Sequence, residues 1–200
     1  MDQPLHKLAT IVASTRPGRV GHGVAHWFHN VAGRLGAFEN RIFDLAEFDL
    51  PLLDEPHHPR LQKYQKDHTK AWSAAVDWAD AFVIVTPEYN YGSPPALVNA
   101  LDYVYVEWNY KPVGFVSYGG ASGGLRSVQM TKQIVTTLKM MPMVEAVAIP
   151  FVATHVDEHG HFNGQEAHEK AAVTMLEELM RWSVALKTMR APATGAHSGG

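Results

Sequence analysis

Three short stretches carry residues able to hold a ligand. The first, "STRPGRVGHG" (Ser14 to Gly23), sets the hydroxyls of Ser14 and Thr15 and the guanidinium of Arg16 just ahead of a helix expected to begin near Gly21. Free backbone N–H groups and the positive end of the helix dipole favour an anion there, and Arg16 adds charge-assisted hydrogen bonds, so the chemistry suits a phosphate. The same residues also fit a plainer role, with Ser14 and Thr15 capping the helix and Arg16 solvated. The second stretch, "PEYNYGSPP" (Pro87 to Pro95), combines prolines that restrict the backbone, the flat faces of Tyr89 and Tyr91, and donors from Asn90 and the loop amides. That suits a planar polar heterocycle, although Pro94 and Pro95 also suit a helix start and the tyrosines a core or subunit contact. In the third, "YGGASGG" (Tyr118 to Gly124), the glycines let backbone N–H groups approach a ligand closely, or simply supply a flexible turn. An anion loop, a planar-group loop and a glycine loop together describe a site for a mononucleotide carrying an aromatic ring. The spacing "GRVGHG" is not G-x-G-x-x-G and no G-x-x-x-x-G-K-S/T occurs, so neither the dinucleotide fingerprint nor a Walker loop is present.

The elements between these loops must position them. "LHKLATIVA" (Leu5 to Ala13) reads as a buried strand, being short, apolar, rich in β-branched residues and stopped by "STRPG". Val24, Trp27, Phe28, Val31 and Leu35 then recur at helical spacing, and "AFENRIFDL" reads as a second strand. "LPLLDEPHHPR" is a proline-punctuated exposed loop, followed by a helix with Ala71, Trp72, Ala75, Val76 and Ala79 on one face. "AFVIVT" is continuously apolar, as a central parallel strand covered on both faces should be. "PALVNALDYVYVEW" follows as a helix, "KPVGFVS" as the fourth strand, "GLRSVQMTKQIVTTLKM" as a helix and "MVEAVAIP" as the fifth strand. A polar stretch after Pro150 leads to a final helix from about Glu166 to Lys187. Ala172, Leu176, Leu179 and Leu186 form its core stripe, while Met175 and Trp182 beside it suggest a subunit contact. This alternation predicts one doubly wound α/β domain over residues 1–189, with 190–200 ("RAPATGAHSGG") a disordered tail. In such sheets a ligand sits beyond the carboxyl ends of the strands where strand order reverses, and the three loops follow the first, third and fourth strands.

Composition narrows the function. The chain has 200 residues, 46% of them hydrophobic, enough for one substantial core. Lys plus Arg (17) nearly balances Asp plus Glu (20), for a net charge of -3, so no basic field is available for a nucleic-acid backbone. Cysteine is absent, which excludes disulfides, thiolate nucleophiles and cysteine metal sites, and redox chemistry would need a cofactor. No leader-like segment and no run of about 18 apolar residues occurs, so a soluble cytoplasmic protein without a membrane partner is expected. "HVDEHGH" brings His155, Asp157, His159 and His161 together in a polar loop without helical i, i+4 pairing, and His57 and His58 lie between prolines. These histidines read as solvated, and no metal site is assigned.

With its loops in this order the sequence resembles the NADPH-dependent FMN reductase family, a flavodoxin-like group that includes quinone, chromate and azo-dye reductases. The resemblance rests on "ASTR" after the first strand, "PEYNYGSPPALVNALDYV" and "KPVGFVSYGGASGG", and runs from about Leu8 to Ile149. Two features depart from it: Ala13 stands where glycine is usual, and "RPGRVGHG" replaces a form with a serine and an asparagine. The resemblance implies a flavodoxin-like five-stranded parallel sheet of order 2-1-3-4-5 with helices on both faces. It implies that Ser14, Thr15 and Arg16, with N–H groups near Val20, Gly21 and His22, hold the FMN phosphate. Pro87, Glu88, Tyr89 and Asn90 would line the isoalloxazine and ribityl chain, and Ser117, Tyr118, Gly119 and Gly120 would close over the ring's polar edge. FMN would take hydride from NADPH or NADH and pass electrons to quinones, azo compounds, chromate or free flavin, with no side-chain general base and with backbone donors stabilising negative charge. One open ring face serving both substrates predicts ping-pong kinetics. Tyr91, Trp108 and Tyr110 are candidate walls for the second substrate and equally suit a subunit interface or the core, and a homodimer or homotetramer is implied. Two competing readings are a flavodoxin-type electron carrier, a class commonly far more acidic than this chain, and a flavin-free mononucleotide-binding module.

Overall fold

Hydrophobic continuity decides which strands are central. In a computed structural model, which describes residues 5–190, β1 (His6–Val12) is buried from Leu8 onward. The helix α1 (Gly21–Leu35) leads to β2 (Phe38–Asp44) and the one-turn helix α2 (Leu45–Phe48). Then come α3 (Asp67–Trp78), β3 (Ala81–Pro87), α4 (Pro95–Tyr103), β4 (Pro112–Tyr118), α5 (Leu125–Thr137), β5 (Met141–Ile149) and α6 (Glu166–Arg190). β3 and β4 are buried along their whole length, whereas β2 and β5 mix buried with exposed residues, as edges of a parallel sheet do. The order is β2-β1-β3-β4-β5 with every pairing parallel, the flavodoxin-like arrangement that the resemblance implied. Strand order therefore reverses at β1 and β3, and the crevice beyond their carboxyl ends is the expected ligand position.

Two apolar layers clamp the sheet. Val24, Phe28 and Val31 of α1 join Ala172, Leu176 and Leu179 of α6 on one face. Trp72 and Val76 of α3, Leu97 and Leu101 of α4, and Val128 and Val135 of α5 cover the other. Met175, expected on a subunit-facing stripe, is instead fully buried: Gly114 of β4 leaves the space its sulfur occupies, and a Cβ there would lie 2.6 Å from that atom. Trp182 stays partly exposed, and Leu35 and Ala71, expected on buried faces, are exposed.

The expected long helix through Trp108 is shorter. α4 ends at Tyr103, Val104 is extended (φ -134°), and Val106–Trp108 form a separate 3-10 turn. The run "VYV" has weak helix propensity, and leaving the helix lets Trp108 bury completely. Its ring packs 4.9 Å from Phe82 and 5.9 Å from Trp72, and its Nε1 donates to Leu101 O at 3.2 Å. Trp108 and Tyr110 precede β4, so they lie at the amino edge of the sheet, opposite the three loops. They are not walls of that site. α6 runs on to Arg190, whose guanidinium pairs with Asp80 at 3.0 Å, and the expected tail beyond it lies outside the described residues. No helix among the described residues is long and apolar enough to cross a membrane.

Trp108→Ala is expected to remove about 3–5 kcal/mol of stability in urea unfolding, with ligand binding by the folded protein unchanged. A shifted acceptor KM at unaltered stability would return Trp108 to the site.

Candidate functional site

Pairing carries past the end of β1. Ala13 N donates to Val85 O at 3.0 Å, which brings the first loop against the end of β3. Ser14, buried, then meets the Tyr89 hydroxyl at 2.8 Å and ties the first loop to the second. Arg16 is exposed, and among the described residues it has no ion-pair partner. Arg19 is different: its guanidinium is bound to the buried carboxylate of Asp44, which also caps α2 by accepting from Ala46 N at 3.0 Å. One arginine of this loop is thus fixed in the structure, and the other is free for an anion.

The start of α1 is left open. Val20 offers no side-chain cap and the first turn has no acid, so the N–H groups of Gly21, His22 and Gly23 lack the usual acceptors. Gly21 is required there by contact, because a Cβ at this position would collide with the Tyr118 hydroxyl. That hydroxyl is buried and among the described residues makes no well-formed hydrogen bond; the Ser14 hydroxyl, close enough to influence it, is engaged with Tyr89. Burial, reinforced by the Tyr89 phenol, pushes the Tyr118 phenol well above its usual range, so it is a neutral donor. Tyr118, Ser14 and Val20, just ahead of that helix start, line a pocket of about 270 Å³ that Pro87, Tyr89, Gly119 and Val152 close.

The second loop is a tight reversal. Tyr89 and Gly92 exchange backbone hydrogen bonds at 3.0 and 2.9 Å, and both residues between them, Asn90 (φ 50°) and Tyr91 (φ 69°), have left-handed backbone. That is the pattern of a type I′ turn, natural for asparagine and strained for tyrosine. The exposed Tyr91 ring lies under the Arg126 guanidinium at 3.8 Å. Ser93 fastens the loop's far end to α5 through Thr131 Oγ1 at 2.6 Å. Glu88 is fastened as well: its carboxylate accepts from Ser122 Oγ (2.9 Å), Arg126 N (3.1 Å) and Arg126 Nε (2.6 Å). Desolvation opposes its ionisation, but the bonds from Ser122 and Arg126 prevail and hold the carboxyl below its ordinary range. The acid expected to line a flavin thus braces the second loop against the third.

The third loop turns its carbonyls inward. Gly119 O accepts from Val152 N, and Gly120 O accepts from Gly123 N and Phe151 N. Among the described residues nothing accepts from the amides of Gly120 and Ala121. Gly124 (φ 82°) admits no side chain, since a Cβ would lie 2.8 Å from the backbone of Tyr118. The Ser117 hydroxyl is buried and has no partner among the described residues.

The structure therefore gathers Ser14, Arg16, Val20, Tyr89 and Tyr118 at one pocket, while Asn90 and Glu88 line a neighbouring one of about 550 Å³. Thr15 lines a third, of about 350 Å³, with Leu45, Asp49 and Ala96. His22 lines a different pocket, beside the turn around Gly160, and is not among the residues lining the first. Sequence reasoning missed the Arg19–Asp44 pair and the brace from Ser122 and Arg126. The first had a faint signal in Asp44, an acid closing the second strand beside the basic loop.

An all-parallel sheet in this order, with an open helix terminus and a rigid aromatic loop at its switch point, defines a flavodoxin-like mononucleotide-binding protein. The family model described as NADPH-dependent FMN reductase matches residues 6–154, and the chain belongs to that family. An NAD(P)H-dependent FMN reductase of Nectria sp is 37% identical over 153 residues, covering 74% of this chain and 76% of its own. Another, of Schizosaccharomyces pombe, is 40% identical over 148 residues, covering 72% and 74%. The solved structure of FerB, a flavoenzyme NAD(P)H:(acceptor) oxidoreductase from Paracoccus denitrificans, superposes with a TM-score of 0.70 at 18% identity, covering 90% of this chain and 98% of that one.

FMN and NAD(P)H are the cofactors of this enzyme class, and the donor set fits FMN. A dianionic phosphate requires several donors close together, and Arg16 and the Tyr118 hydroxyl line one pocket beside the uncapped start of α1.

Gly21→Ala should destabilise the protein by about 1–3 kcal/mol through overpacking against Tyr118, and most of that penalty should vanish in a Tyr118→Phe background. Additive effects in the double-mutant cycle would mean that the contact is not the reason for the glycine.

Proposed function

We propose that FMN is held at the three loops and that the enzyme passes electrons from NAD(P)H to quinones and other electron-poor aromatic acceptors. The observation that carries the reading is the buried, unpartnered Tyr118 hydroxyl at the open start of α1, with the unpaired Arg16 beside it. The phosphate is received by Arg16, Ser14, the Tyr118 hydroxyl and the amides of Gly21 and His22. Asn90 and the walls of Pro87 and Tyr89 flank the isoalloxazine and ribityl chain, and the free amides of Gly120 and Ala121 donate to the ring's polar edge. Glu88 acts indirectly, by keeping the second and third loops in register.

When bound, FMN supplies the hydride chemistry that no side chain here provides. The protein's part is orientation and the placing of donors where negative charge develops. Relatives named as an NADPH azoreductase of Bacillus sp. and a 2-hydroxy-1,4-benzoquinone reductase of Burkholderia sp support flat, electron-poor acceptors. The broad pocket beside Glu88, Tyr89 and Asn90 has room for such a ring. A homodimer is supported by apolar side chains exposed around the loops, Tyr91, Leu125, Met130 and Phe151.

Arg16→Ala should weaken FMN binding by about 1.5–3 kcal/mol, read from flavin fluorescence quenching on titration into apoprotein. Unchanged affinity would remove Arg16 from the phosphate site. Initial rates with NADPH and a benzoquinone should give parallel double-reciprocal lines; intersecting lines would show that both substrates bind together.

A further inference from the structure

A second pocket lies on the outer side of α1, away from the crevice. It has a volume of about 550 Å³, and its lining includes His22, His26, Trp27, His159 and His161. His22 and His26 are one helical turn apart, and their Nε2 atoms are 3.2 Å from one another. Without an ion, one ring must donate its single proton to the other, and the two cannot both present N–H on that side. With an ion the spacing is natural: two imidazole nitrogens, each about 2.0–2.1 Å from a tetrahedral metal, stand roughly 3.3 Å apart.

The facing turn is built to offer a further imidazole. Val156 and Phe162 pair as an antiparallel bridge, Gly160 (φ 82°) turns the chain, and Asp157 Oδ1 accepts from the amides of His159 and His161 at 2.9 Å each. This turn is pressed onto the first turn of α1, where a Cβ on Gly23 would lie 2.6 Å from Gly160 O. His161 Nδ1 lies 3.2 Å from the Asp157 carboxylate, which fixes the tautomer with Nε2 as the free lone pair. A carboxylate behind a histidine is the usual support for a metal ligand. His159 differs, because its Nε2 faces Glu158 at 3.6 Å. Arg34, the cation lining the pocket, is neutralised by Glu169 at 2.9 Å.

We propose that His22, His26 and His161 form a site for a borderline transition-metal ion of the Zn²⁺ or Cu²⁺ class, which staples the 156–162 turn to the first turn of α1. Among the described residues no three His, Cys, Asp or Glu side chains already converge on one point, so binding requires the exposed His161 ring to swing towards the helical pair. Water completes the coordination, as an open surface site allows. The inference rests on α1 and the turn alone and does not depend on the FMN assignment.

The test is calorimetric titration of the tag-free protein as purified with ZnCl₂, alongside His26→Gln and His161→Gln. Both positions are exposed, and an unchanged far-ultraviolet circular dichroism spectrum and thermal midpoint show that each variant is folded. The wild type should take up one Zn²⁺ per chain, and each variant should bind roughly tenfold or more weakly. Absence of saturable uptake in the wild type, or affinity unchanged in either variant, would overturn the site.

Discussion

The contact of the Tyr118 hydroxyl with Gly21 governs the geometry of the crevice. Tyr118 ends β4, two strands away from β1, and its side chain reaches the opening turn of α1. Glycine at position 21 leaves room for the phenol to bring a donor to the helix terminus. Three loops widely separated in sequence border one small volume there, tied by Ser14 to Tyr89 and by Glu88 to Ser122. The cost is a buried hydroxyl that no other described residue satisfies, and it lies at the wall of the pocket where a ligand oxygen could accept its proton.

Rigidity around that volume comes from braces placed behind it. The second loop carries backbone strain at Tyr91, which persists because Ser93, Glu88 and the Arg126 guanidinium restrain both sides of the turn. Arg19 neutralises Asp44 and so removes an acid from the neighbourhood of the expected phosphate. The Arg19, Glu88 and Ser93 side chains are thus tied to protein partners and shape the loops, while the Tyr118 hydroxyl and Arg16 at the pocket are not.

The sequence made the alternation of strands and helices legible because periodicity reports burial directly. β3 was readable as central from its unbroken apolar run, and the strand order followed from the resemblance of its loops. The break after Tyr103 was not readable: helical spacing continues through Trp108, and the decisive influence is tertiary burial of that ring against Phe82 and Trp72. Met175 failed for a related reason, since the space it fills is created by Gly114, distant in sequence. At the candidate site, residue types pointed to loops that the fold brings to one edge of the sheet, but partnership escaped them. Nothing in "PEYN" shows that its acid turns to Ser122 and Arg126, and nothing in "STRPGR" shows which arginine is already bound.

The central claim is that the open donors at the three loops exist to hold FMN for reaction with a reduced nicotinamide. The most direct measurement is the anaerobic visible spectrum of the purified protein, supplied with excess FMN and freed of unbound flavin, before and after addition of NADPH. The account predicts a two-band flavin spectrum retained through desalting at one FMN per chain, bleached directly by NADPH. Protein that remains colourless after reconstitution, or bound flavin that NADPH leaves oxidised, would contradict it.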